Sequence, residues 1–118
     1  MTAVVVYGIA NCDTVKKARH WLDGRGVAYR FHDLRRDGAT EALIARWLSS
    51  TPADLLLNRK STTWRSLAEA ERAGAVTAEG ARRLMCLHPT LIRRPVIEWA
   101  EGLTVGFDDA TFAARIAR

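Results

Sequence analysis

A short apolar run, Val4-Val5-Val6, leads into Tyr7-Gly8, and apolar residues then fall at Val15, Ala18, Trp21 and Leu22. The run predicts a buried strand over Val4 to Tyr7. The three- and four-residue spacing behind it predicts an amphipathic helix from Thr14 to about Gly24. Gly24 and Gly26 close that helix. Alternation through Val27-Ala28-Tyr29-Arg30-Phe31-His32 predicts a second strand near Ala28 to Asp33. A strand, a helix and a strand in this order form a βαβ unit, with two parallel strands and a right-handed crossover.

Arg35-Arg36-Asp37-Gly38 reads as a turn. Thr40 then opens a helix whose apolar positions are Leu43, Ile44, Trp47 and Leu48, and Ser49-Ser50-Thr51-Pro52 ends it. The middle of the chain is helical and less regular. It offers a short helix from Pro52 to Leu57 and a polar segment from Asn58 to Thr63. A helix from Thr63 through Ala70 follows, then another from Thr77 to Leu87, stopped by His88-Pro89. Val96 to Trp99 predicts a third strand, and Gly102 turns it into a hairpin partner over Leu103 to Phe107. Asp108 or Asp109 caps a last helix, Ala110 to Ala117. The order βαβ, helical block, ββα predicts an α/β fold with one core over residues 1–118, interrupted by a helical insertion at roughly 40–88.

Composition narrows the function classes. A chain of 118 residues suits one domain. Lys plus Arg number 18 against 13 acidic residues, for a net charge of +5, but the basic positions are dispersed rather than gathered in one tract. That pattern fits small anionic substrates, and direct nucleic-acid binding is not expected. Only Cys12 and Cys86 are available for disulfides, so no disulfide framework exists and a reducing, cytoplasmic setting is expected. No apolar run approaches the ~18 residues of a membrane span, and no basic-then-apolar leader is visible, so a soluble, unexported protein is expected. His20, His32 and His88 are scattered, and no metal site is expected.

Candidate chemistry centres on Cys12, placed where the first strand hands over to the first helix. A helix start presents free backbone N–H groups and the positive end of the helix dipole, which favour the thiolate, and the thiolate is the nucleophile. Asp13 or Thr14 can cap the helix, and Lys16, Lys17 and Arg19 add positive charge in its first two turns. Free thiols are more often inert core residues. Here the polar neighbours Asn11, Asp13 and Thr14 favour exposure. Cys86 lies in the apolar stretch Leu84-Met85-Cys86-Leu87 and reads as core; Trp21, Trp47, Trp64 and Trp99 read most simply as packing residues.

These residues carry a resemblance. The element order, with a cysteine at the first strand-to-helix turn, resembles the thioredoxin/glutaredoxin fold with a helical insertion and a mixed four-stranded sheet. More narrowly, the chain is similar to the ArsC/Spx, or arsenate reductase-like, family, and within it to the YffB-like branch of glutathione-dependent thiol reductases. The supporting segments are Tyr7 to Ala18, Leu56-Leu57-Asn58-Arg59, Thr62-Thr63-Trp64-Arg65, Pro89 to Val96 and Val105-Gly106-Phe107-Asp108. The resemblance implies that Cys12 is the attacking thiolate and that Asn11 and Thr14 orient it or donate hydrogen bonds. Arg94-Pro95 matches the family's arginine followed by a cis-proline facing the cysteine, so Arg94 would act in catalysis and Pro95 in holding an extended substrate. Arg59 matches a basic residue of the insertion that faces the active site in the family, and Lys16 joins it among the expected substrate-binding residues.

Two departures shape the expected activity. Val15 stands where a Cys-x-x-Cys protein carries its resolving thiol, so Cys12 needs an external thiol, for which glutathione is the expected co-substrate. Arsenate reductases of the family hold their oxyanion with a third arginine after the proline, whereas residues 96–111 contain none. The expectation is a glutathione-linked thiol–disulfide oxidoreductase with no bound cofactor, acting as a monomer on a small-molecule or protein thiol or disulfide. Arsenate reduction is one alternative. The other is a non-catalytic, Spx-like regulator that binds RNA polymerase.

Overall fold

Four strands form one sheet in the order β2-β1-β3-β4, where β1 is Val5–Gly8, β2 Arg30–Asp33, β3 Val96–Glu98 and β4 Leu103–Val105. The computed structural model describes residues 4–117. β1 pairs parallel with β2, and helix α1, Asp13–Gly24, is the crossover between them. β1 pairs antiparallel with β3 through Val6↔Ile97, and β3 forms a hairpin with β4. The sheet is therefore mixed and four-stranded in the thioredoxin-like manner. β2 is shorter than the alternation suggested, beginning at Arg30 rather than Ala28. β4 stops at Val105 because Gly106 turns to φ +87° and donates its N–H to the Pro95 carbonyl at 2.8 Å.

The chain divides into two compact units. The first is Met1–Leu34 with Arg94–Arg118, and the second is Arg35–Arg93. In the first unit, α1 turns Ala18, Trp21 and Leu22 inward, and these meet Val6 and Ile97 of the sheet with Trp99 and Phe112. Phe112 belongs to the last helix, α7, Asp109–Ile116. Its ring meets those of Trp21, Trp99 and Phe107 edge-on, at centroid distances of 5.5, 5.1 and 5.0 Å. Edge-to-face contact places the positive ring edge on the negative face of its neighbour. Both indole N–H groups find acceptors, Asp109 Oδ1 for Trp21 and Thr104 Oγ1 for Trp99, each at 2.8 Å. Of the two candidate caps, Asp108 caps α7, accepting from the Thr111 amide at 2.9 Å.

The second unit is helical: α2 Glu41–Leu48, α3 Ala53–Leu56, α4 Thr62–Ser66, α5 Glu69–Ala73 and α6 Ala78–Leu87, with single 3-10 turns at Gly74–Val76 and Pro89–Leu91. Thr40 and Thr77 cap α2 and α6 through their hydroxyls. The helix expected over Thr63 to Ala70 is two helices. Leu67 is extended and buried, and the Ala68 amide is taken by the Glu71 carboxylate at 3.1 Å, which starts a new helix. α6 crosses the first 3-10 turn so closely that a Cβ on Gly80 would sit 1.8 Å from the Gly74 carbonyl oxygen. Leu57 and Ile92 form an antiparallel bridge, and the Asn58 amide donates to the Leu91 carbonyl at 2.8 Å. Cys86 and Trp64, expected as packing residues, are half-buried rather than buried.

Candidate active site

The site begins with a close approach of backbone to side chain. β1 ends at Gly8, where a Cβ would stand 2.7 Å from Val15 Cγ2 and 3.0 Å from Cγ1. Only glycine lets the strand end run against the first turn of α1 at this spacing. The loop from Gly8 to Cys12 is then pinned at several points. The Cys12 amide donates to the Ile9 carbonyl at 3.1 Å, the Leu34 amide to the Gly8 carbonyl at 2.8 Å, and the Ala10 amide to Asp33 Oδ2 at 3.2 Å.

Cys12 is the N-cap of α1, with extended backbone at φ −88° and ψ 127°, and its carbonyl accepts from the Lys16 amide at 2.9 Å. Its thiol closes no conventional capping hydrogen bond of the kind a serine or aspartate would make. The surroundings instead act on the sulfur through its charge. Burial raises the pKa of the half-buried thiol, but the Val15 amide, the Arg94 side chain and the Thr14 amide all favour the ionised form and together outweigh it. Arg94 acts twice, by hydrogen bonding and by its positive charge. The net effect holds Cys12 below the ordinary thiol value.

Arg94 reaches the sulfur from the segment just before β3, and the Arg94–Pro95 peptide bond is cis, as the family pattern implies. Arg94 is half-buried and Pro95 is buried. Asn11, Thr14 and Lys16 are exposed on the loop and first turn beside the cysteine, and Thr14 bears on the sulfur through its amide. Arg59 belongs to the second unit, where it pairs with Asp54 Oδ1 at 2.8 Å and lies over the Trp64 ring at 5.5 Å. Gly8 and Asp33 are residues of the site that the sequence pattern marks only as strand ends. Nothing in the pattern signals the packing requirement at Gly8, whereas at Asp33 a carboxylate closing the strand beside the cysteine loop is a usable signal. Among the described residues, no group of three or more His, Cys, Asp or Glu could hold a metal ion, and no helix is long and apolar enough to cross a membrane.

The ArsC family pattern matches residues 7–115. An uncharacterized protein of Haemophilus influenzae is 36% identical over 114 residues, covering 97% of this chain and 99% of its own. A solved structure of a YffB protein superposes with a TM-score of 0.91 at 42% identity, covering 95% of this chain and 97% of the other. At greater distance, a global transcriptional regulator, Spx 2 of Bacillus anthracis, is 25% identical over 108 residues, 90% of this chain and 81% of that one. The match runs from the strand that precedes Cys12 to the last turn of α7, and it joins a thioredoxin-like sheet to a cysteine at a helix start. This chain belongs to the ArsC family.

Proposed function

We propose that this protein is a glutathione-linked thiol–disulfide oxidoreductase working through Cys12 alone. One observation carries the reading: a half-buried sulfur at a helix start, favoured as thiolate by two amides and the Arg94 side chain. The Cys12 thiolate attacks one sulfur of a disulfide R–S–S–R′. A Cys12–S–S–R bond forms, the R–S–S–R′ bond breaks, and R′–S⁻ leaves and takes a proton from water. Glutathione, as its thiolate, then attacks the Cys12 mixed disulfide at the sulfur of R, giving R–S–S–G and restoring the Cys12 thiolate. A second glutathione releases R–SH and leaves oxidised glutathione, so the two electrons that reduce the substrate come from two glutathione thiols.

In this scheme Arg94 stabilises the thiolate before attack and again when Cys12 departs from the mixed disulfide. Asn11, Thr14, Lys16 and Pro95 bind the substrate, with Lys16 suited to the carboxylates of glutathione and Pro95 to an extended peptide backbone, and the family resemblance implies a substrate-binding role for Arg59 as well. Val15 at the resolving position supports the need for an external thiol. The reaction belongs in the cytoplasm, where reduced glutathione is abundant. Intact-protein mass spectrometry after exposure to oxidised glutathione tests the reading. A single adduct located at Cys12 is expected, while a bridge between Cys12 and Cys86, or no adduct at all, would overturn it.

The similarity to Spx 2 favours a second reading, a non-catalytic module that binds RNA polymerase. Capture of polymerase subunits by the purified protein, together with no thiol activity toward glutathione-mixed disulfides, would select it. Arsenate reduction is disfavoured by the lack of arginine over residues 96–111, because a small trianion is best held by several convergent cations. Arsenate-dependent consumption of reducing equivalents in the presence of glutathione would reinstate it.

A further inference from the structure

Asp33 is the one charged side chain among the buried residues of the described chain, at 8% exposure, and it lies at the end of β2 directly across from Gly8 in the parallel ladder. A carboxylate is taken out of water only where hydrogen bonds compensate the loss of hydration. One of its oxygens accepts the Ala10 amide at 3.2 Å. Ala10 itself is exposed, lies in the turn between β1 and α1, and precedes Cys12 by two residues. A buried acceptor on the sheet thus reaches out to an exposed loop amide.

We propose that Asp33 is a positioning residue for the Cys12 nucleophile: by holding the Ala10 amide it sets the path of the Gly8–Cys12 loop, and so where the sulfur stands relative to the helix-start amides and Arg94. The inference rests on Cys12 being the nucleophile of the proposed function. The loop's other anchors are backbone to backbone, Cys12 to Ile9 and Leu34 to Gly8, and survive any change of side chain. The Asp33 contact is therefore the one of these loop anchors that a side-chain substitution removes. The sulfur depends on this path because two of the groups favouring its ionised form are amides of the next turn, fixed in direction by the backbone. The charged group that acts on the Cys12 sulfur is Arg94, before β3; α1 also carries Asp13, Lys16, Lys17, Arg19, His20 and Asp23, and β2 carries Arg30 and His32 beside Asp33.

The test uses a Cys86→Ser background, so that iodoacetamide reports Cys12 alone, and compares the pH dependence of alkylation for the parent, Asp33→Asn and Asp33→Ala. Asparagine keeps an acceptor for the Ala10 amide; alanine does not. The expected result is an alkylation rate at pH 7 lowered roughly threefold to tenfold in Asp33→Ala, with its midpoint moved to higher pH, and largely restored in Asp33→Asn. A folded Asp33→Ala protein with the parent's profile would overturn the proposal, as would equal shifts in the two variants. Should Asp33→Ala not fold, amide exchange in the parent decides: protection of the exposed Ala10 N–H supports the proposal, and exchange at the unprotected rate overturns it. A parent midpoint at the ordinary thiol value would instead count against the activity itself, and the difference between parent and variants would still settle the role of Asp33.

Discussion

At the scale of single residues, the sulfur of Cys12 sets most of what can be measured. A lowered pKa in the native state means that the thiolate persists to lower pH when folded than when unfolded. The stability this contributes is present above the ordinary thiol value and is lost as pH falls through the lowered one, and nucleophilic reactivity falls over the same window. Alkylation of Cys12 should therefore have its midpoint below the ordinary thiol value of about 8.5. Arg94→Ala removes both a hydrogen bond and a charge, and should move that midpoint upward and cut reactivity at pH 7 by about tenfold. Arg94→Lys should recover only part, because an ammonium is a point donor without the guanidinium fork. Cys12→Ser should abolish reduction of a glutathione-mixed disulfide, and Cys86→Ser should leave most of it, both read by glutathione-coupled turnover. The cysteine was legible from its place between an apolar run and an amphipathic repeat. The convergence of Arg94 on it rested on family resemblance, because nothing local to Arg93-Arg94-Pro95 says where a guanidinium will point.

At the scale of elements, two glycines decide how closely backbone segments approach. Gly8→Ala would drive a methyl into the Val15 side chain, which has some freedom to turn aside, so a loss of about 1–3 kcal/mol is expected in urea unfolding. The same variant should slow Cys12 alkylation, since it displaces the turn that carries the Val15 amide, and adding Val15→Ala should recover stability. Gly80→Ala meets a backbone carbonyl that cannot turn aside, and should cost more than Gly8→Ala in the same assay. Neither requirement was visible in the pattern. Gly8 looked like a strand boundary and Gly80 like part of a helix start, since a sequence records that a residue is small but not what passes against it. The break between α4 and α5 has a similar origin: an unbroken helical spacing through Leu67 gave way to burial of that leucine and capture of the Ala68 amide by Glu71.

At the scale of the whole molecule, the sheet-bearing unit is held by an aromatic cluster centred on Phe112. Phe112→Ala should cost about 3–5 kcal/mol in denaturant unfolding, by cavity formation and loss of three edge-on ring contacts. Cys12 in the folded fraction should keep its pH profile, since the groups that favour its thiolate are Thr14, Val15 and Arg94 and not the cluster. Local pattern alone is enough for the strands, most of the helices, the parallel pairing of β1 with β2 and the cysteine at the helix start. Those features follow from side-chain periodicity and from the chemistry of neighbours a few residues away. Three features emerge only once the chain is folded: Gly8 must be bare against Val15, Asp33 reaches the Ala10 amide, and Arg94 arrives at the sulfur. Each of these depends on where segments distant along the chain come to lie, and local periodicity reports which face of a segment is buried without reporting what covers it.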